Sequence, residues 1–173
     1  MAATSTGGSD WTLEQLTDNS TPDLAPVVAA SEERIIVAWR EVKSSSAADL
    51  TSFDQQDAIR FAVCEKKNGT WEWQWEEEDV LLMTKGVVAQ TLYDGTGSKA
   101  SVKGLEMAML EDGTAAVVYT LDTDSTNDST TDWETVVAII PAADGTYGAD
   151  DAQSEDLVRT FRLTTDENLD ENP

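Results

Sequence analysis

The sequence predicts an all-β protein assembled from antiparallel four-stranded repeat units. Three observations carry that expectation. Short apolar runs rich in Val, Ile, Thr and aromatic residues recur along the chain, with almost no stretch of helical period. Clusters of Gly, Asp, Asn and Ser separate these runs. The order of features in one half of the chain then recurs in the other half at a near-constant offset.

Taken in order, the predicted strands cover 27–31, 34–42, 58–66, 70–76 with 80–84, 105–110, 114–121, 135–141 and 157–164. Residues 1–10 are small and polar, lack the apolar core of a signal peptide, and read as a flexible leader. Residues 11–22 read as the final strand of a preceding unit, with Trp11 to Leu16 as the strand itself. The first full unit spans 23–84 and the second 105–164. Between them 85–104 forms a crossover, whose Gly95 and Gly97 are followed by no Gly-Lys-Ser/Thr of a phosphate loop. Residues 165–173 open a further unit.

The match between the units is feature by feature. Residues 26–39 align with 105–119, each reading as strand, tight acidic turn, and a strand ending on an aromatic, Trp39 or Tyr119. Residues 58–63 align with 135–140, and Leu82-Met83-Thr84 with Arg162-Leu163-Thr164. Asn68-Gly69-Thr70-Trp71 aligns with Asp144-Gly145-Thr146-Tyr147; Asn-Gly and Asp-Gly suit the positive φ angles of a type I′ hairpin turn. The offset stays between 76 and 80 residues. A third, severed copy appears as Leu16-Thr17 with Asp23 and Pro26, matched by Leu163-Thr164 with Asp170 and Pro173. Such units suit two blades of a β-propeller, with a two-sheet β-sandwich as the alternative. A repeat with one uncovered apolar face needs neighbours, supplied by further blades of a longer chain or by oligomer partners.

Composition narrows the function classes. The 173 residues include 34 acidic against 11 basic side chains, for a net charge of −23. Nucleic-acid binding and docking on anionic lipid both need clustered Lys and Arg, so neither fits. The balance fits a highly solvated surface that repels its neighbours, or a protein that meets cations or basic partners. No apolar run approaches the ~20 residues of a membrane-spanning helix. The chain has no His, which removes imidazole-based triads and the usual zinc sites. The single Cys64 sits in an apolar alternation and reads as a buried small hydrophobe.

Several residues stand out as candidate ligand contacts. Trp71, Trp73 and Trp75 alternate with Glu72 and Gln74, so one strand face would carry a row of indoles able to stack on sugar rings or to pack in an interface. Trp133 is a further aromatic candidate. The acidic stretch 122–132 offers Asp122, Asp124 and Asp128 as oxygen ligands for calcium, although it lacks the Gly and Glu of an EF-hand. Residues 43–57 hold the equivalent place in the first unit. In a propeller these loops would gather Asp18, Asp23, Asp49, Asp54, Asp57, Asp122, Asp124, Asp128 and Asp132 on one face. Nothing singles out a catalytic pair among the carboxylates.

The strand, acidic turn, aromatic-ended strand and the Asn/Asp-Gly-Thr-Trp/Tyr turn together resemble the sialidase-like, BNR-type β-propellers of extracellular bacterial proteins, over residues 11–173. The turn keeps the Gly and aromatic of that family's Asp-box without its Ser-x-Asp portion. The resemblance implies a non-catalytic binding or adhesion module of a secreted or cell-surface protein. Its ligand would be a glycan or a surface protein, held through loops and aromatics. The alternatives it implies are a fragment of a larger propeller glycoside hydrolase and a structural scaffold.

Overall fold

A computed structural model describes residues 2–5, 11–18, 20–42, 57–73, 90–94, 102–122, 133–142 and 159–164. Secondary structure among them is strand throughout, as the sequence predicts. β1 (Ala2–Ser5) pairs with β2 (Trp11–Glu14) in a two-stranded ribbon, so part of the expected leader is a strand. β3 (Asp23–Ala30), β4 (Arg34–Val42) and β5 (Asp57–Lys67) follow one another as antiparallel neighbours and make up most of a first sheet. The far edge of β5 is shared. β6 (Thr70–Trp73) pairs with Cys64 to Lys67, and β7 (Gln90–Asp94) pairs with Ala58 to Phe61. The second sheet is a simple meander of β8 (Val102–Met109), β9 (Ala115–Asp122), β10 (Trp133–Ile140) and β11 (Arg159–Arg162).

β6 is described over Thr70–Trp73, and the expected continuation to 76, like 80–84, lies outside the described residues. One departure from the expected boundaries concerns the first sheet. β7 falls in the segment expected to be a plain crossover. The turn between β5 and β6 behaves as its dipeptide predicts: Asn68 and Gly69 have φ of 52° and 85°. The equivalent Asp144-Gly145 lies outside the described residues.

The two units share a defect as well as a strand order. Pairing of β3 with β4 slips between Leu24 and Val27, and pairing of β8 with β9 slips between Lys103 and Glu106. Each bulge holds one left-handed residue, Ala25 at φ 48° and Gly104 at φ 57°. The first sheet thus places an alanine where the second uses glycine. A left-handed L-residue costs about 1–2 kcal/mol, and glycine loses about 0.5–1 kcal/mol more backbone entropy on ordering. Ala25→Gly is therefore expected to stabilise the protein by about 0.5–1 kcal/mol, and Gly104→Ala to destabilise it. Urea unfolding measures both; an Ala25→Gly midpoint at or below that of the parent would contradict the strained bulge.

Burial sorts the strand faces. Ile36 and Ala38 of β4 and Ile59, Phe61 and Val63 of β5 point toward the second sheet. There they join Val102, Leu105, Ala115, Val117, Tyr119, Val136, Ala138 and Ile140 in one continuous core. The opposite face of the first sheet carries a smaller cluster of Leu16, Trp39, Ala62, Cys64 and Trp73, with Ile35, Val37 and Trp71 half-buried against it. β4 and β5 are apolar on both faces, which is why their sequences read as near-continuous runs.

The pairing registers fix which residues of the two sheets correspond. Ala30 faces Ile35 as Met109 faces Ala115, and Val37 faces Ala62 as Val117 faces Ala138. Ile35 thus corresponds to Ala115, Trp39 to Tyr119, and Phe61 to Val137. The expected match of 58–63 with 135–140 moves by one residue, to 134–139, and a one-residue shift exchanges the two faces of a strand. With this register, the core-facing Ile36, Ala38, Phe61 and Val63 correspond to Ala116, Val118, Val137 and Ile139, none of which belongs to the core. The core-facing Ala115, Val117, Tyr119, Ala138 and Ile140 correspond to Ile35, Val37, Trp39, Ala62 and Cys64 on the outer side of the first sheet. Unlike faces therefore meet between the sheets.

Candidate functional site

Two polar clamps hold the sheets in register, one near each end of the strands. Arg34, at the start of β4 and 4% exposed, donates from Nη1 to the Gly113 carbonyl at 2.8 Å and to the Pro141 carbonyl at 2.6 Å. Gly113 has φ 86°, a conformation that strains any L side chain, and a Cβ added there would meet Arg34 Cδ at 3.3 Å, pressing the guanidinium stem aside by a few tenths of an ångström. At the other end Asp57 is fully buried at the start of β5. Its Oδ2 accepts from the Val102 amide of β8 at 2.8 Å and from Arg40 at 2.8 Å. Burial pushes the Asp57 carboxyl above the ordinary carboxylate value; Arg40 and the Val102 amide pull it back without cancelling that effect.

The Arg34 clamp sets the two acidic hairpin turns side by side. Ser31 N donates to Arg34 O at 2.8 Å in the first turn; Leu110 N donates to Thr114 O at 2.9 Å in the second. Between them lies a cleft of about 640 Å³ lined by Ala30, Ser31, Glu32, Glu33, Met109, Leu110 and Glu111. Glu32, Glu33 and Glu111 are exposed, and so is the Leu110 side chain. The arrangement combines carboxylates with apolar groups, which suits a basic segment carrying an apolar side chain. The sequence marks both turns as acidic but not their adjacency, because that depends on contacts between residues 79 and 107 positions apart.

Of the residues singled out from the sequence and described, Trp71 and Trp73 share the outer face of the first sheet, and Trp133 pairs with Asp122 across β9 and β10 of the second. Trp73 lies in the outer cluster of the first sheet at 6% exposure, facing Cys64 across the strand pair. Trp71 is half-buried on the same face, with Lys66 Nζ 5.9 Å from its ring centroid. Trp133 is 1% exposed, with Lys103 Nζ 3.7 Å from its ring centroid. Trp75 lies outside the described residues. The indoles of Trp73 and Trp133 are both buried in the chain as it stands. Asp57, expected among the loop carboxylates, is instead the buried clamp, because its oxygen is the acceptor for the first amide of β8. Asp23 is half-buried in β3 and Asp18 is exposed. Asp122 ends β9, while Asp49, Asp54, Asp124, Asp128 and Asp132 lie outside the described residues. Among the described residues no three His, Cys, Asp or Glu side chains converge on a point that could hold a metal ion. Among them, too, no helix is long and apolar enough to cross a membrane.

With this geometry in place, the described residues form two antiparallel β-sheets with an acidic cleft between two of their turns. No protein-family model matches the chain, and no curated protein or solved structure matches it either.

Proposed function

We propose that the chain is a non-catalytic binding module, formed by two units of a propeller-like β-sheet array, that recognises a basic segment of a protein partner. The observation that carries this reading is the cleft between the two hairpin turns, with Glu32, Glu33 and Glu111 around Ala30, Met109 and Leu110. The array reading is supported by the meeting of unlike faces with equivalent turns at one end, as successive blades of a propeller meet. A sandwich built by two-fold pairing would bring like faces together. The resemblance noted in the sequence favours a secreted or cell-surface setting.

A panel of Lys/Arg-rich peptides carrying Leu or Phe, titrated at physiological ionic strength, tests the reading. At least one peptide is expected to bind saturably, and the triple substitution of Glu32, Glu33 and Glu111 to Gln is expected to weaken it at least tenfold. Those residues are exposed, so the melting temperature should stay put. Absence of saturable binding across the panel, or binding indifferent to the triple substitution, refutes the reading. A parallel glycan panel read by Trp fluorescence addresses the carbohydrate alternative and is expected to be flat.

A further inference from the structure

The two sheets of this chain already display one complete interface between neighbouring units, and each half of that interface occurs a second time, facing away from the core. On the second sheet the residues corresponding to Ile36, Ala38, Phe61 and Val63 are Ala116, Val118, Val137 and Ile139. The first set is 0–1% exposed under the second sheet, whereas the second set is only half-buried. Phe161 extends the same face, pairing with Val137 across β10 and β11, and is 50% exposed; Leu163 beyond it is 60% exposed. On the first sheet the complementary set is Val28, Ile35 and Val37, corresponding to Met107, Ala115 and Val117 of the core-facing side. Val28 is 63% exposed. Within the chain the sheets approach along β8, the strand that carries Met107 and touches β3, β4 and β5. Its counterpart in the first sheet is β3, the strand that carries Val28.

We infer that a second copy of this chain docks head to tail, with its β3–β4 outer face against the Val118–Val137–Phe161 face of the second sheet. The occupant follows from complementarity with an interface already present: this apolar face is a copy of one that the chain itself covers, and the Val28, Ile35 and Val37 part of the covering surface recurs, exposed or half-buried, on the same chain. Contiguous apolar surface of this kind marks an interaction site. The contact joins unlike surfaces, so each copy keeps one half unused and can recruit another copy, giving a ring or an open chain of copies. Leu16 covers the Trp39, Ala62, Cys64 and Trp73 part of the receiving face, which leaves the Val28, Ile35 and Val37 part for the neighbour. Each copy carries a net charge of −23, so like charges oppose the contact and salt favours it. The inference rests on the correspondence of strand faces and not on the cleft, so it stands or falls independently of the peptide titration.

Sedimentation of the whole chain in about 0.5 M salt, where screening reaches only a few ångströms, tests it. The parent chain is expected to show an average mass that rises with protein concentration and with salt. Val118→Glu should remove one half of the interface and Val28→Glu the other, so each alone is expected to be monomeric. Mixed, the two variants retain one intact pair of surfaces and are expected to form a one-to-one dimer and nothing larger. Phe161→Glu, at a more exposed position of the same face, replaces Val118→Glu if circular dichroism shows that variant unfolded. A parent chain that stays monomeric at hundreds of micromolar overturns the inference and assigns the face to some other partner. A single variant that still dimerises overturns it in favour of a like-on-like contact. A mixture that stays monomeric overturns it as well.

Discussion

Replacing Arg34 with methionine is expected to cost about 3–5 kcal/mol of folding stability, the scale at which one partner is removed from a buried charged network. Methionine keeps much of the aliphatic stem and deletes the two donated hydrogen bonds. The carbonyls of Gly113 and Pro141 then lose a charged donor held at 2.8 and 2.6 Å. Each hydrogen bond to a charged group is worth about 1.5–3 kcal/mol. Glu65, whose carboxylate lies 3.9 Å from Arg34 Nε, loses its neighbouring cation too. Arg34→Lys should fall between the parent and methionine, since an ammonium also carries several donors but sits on a shorter stem than the Nη1 that reaches both carbonyls. Urea denaturation with an unchanged slope and a lowered midpoint is the expected signature. A loss below about 1 kcal/mol would mean that the Arg34 clamp adds little to the docking of the sheets.

Asp57 is expected to respond very differently to alanine and to asparagine. Asp57→Ala removes the acceptor for the Val102 amide and the counter-charge of Arg40 together, a loss of about 3 kcal/mol. Asp57→Asn keeps an acceptor for the amide; it deletes the charge that burial disfavours together with its pairing to Arg40, so its cost is expected to stay well below that of alanine near neutral pH. The pH dependence separates the two effects. Because the folded-state pKa of Asp57 is raised, the folded protein holds this proton at pH values where the unfolded chain has released it. The favourable contribution is complete below the ordinary carboxylate value of about 3.9. It is lost as pH rises through the raised folded value. The stability of the parent relative to Asp57→Asn is therefore expected to increase as the pH is lowered through that window. Equilibrium unfolding of both proteins across the acid range measures it, and a difference that shrinks on acidification would reverse the assigned shift.

What the sequence made legible was local. The near-continuous apolar runs of β4 and β5, the positive φ angles at Asn68-Gly69 and the burial of Cys64 all follow from neighbours a few residues away. What it hid was set by distant partners. Nothing around Asp57 distinguishes it from the many surface carboxylates; it is buried because β8 begins where its oxygen can accept the first amide. The indole of Trp73 reads as platform or packing, and it lies buried in the cluster with Leu16, Trp39, Ala62 and Cys64, partners remote in sequence. β7 escaped notice because its short run lies among glycines and pairs with the part of β5 that β6 leaves uncovered. The cleft was half legible: each acidic turn is visible alone, but their adjacency depends on Arg34.

The positions of the clamps have a consequence for the order of folding. Within each sheet most neighbouring strands are also neighbours in sequence, so hairpins can form early and locally. The contacts that join the sheets span 45, 79 and 107 residues, and they can form only after both surfaces exist. Docking of the sheets then comes late. Arg34 should contribute little to the folding barrier, and its loss should appear almost wholly as faster unfolding. The lifetime of the assembled state, more than the speed of reaching it, is what the clamps set.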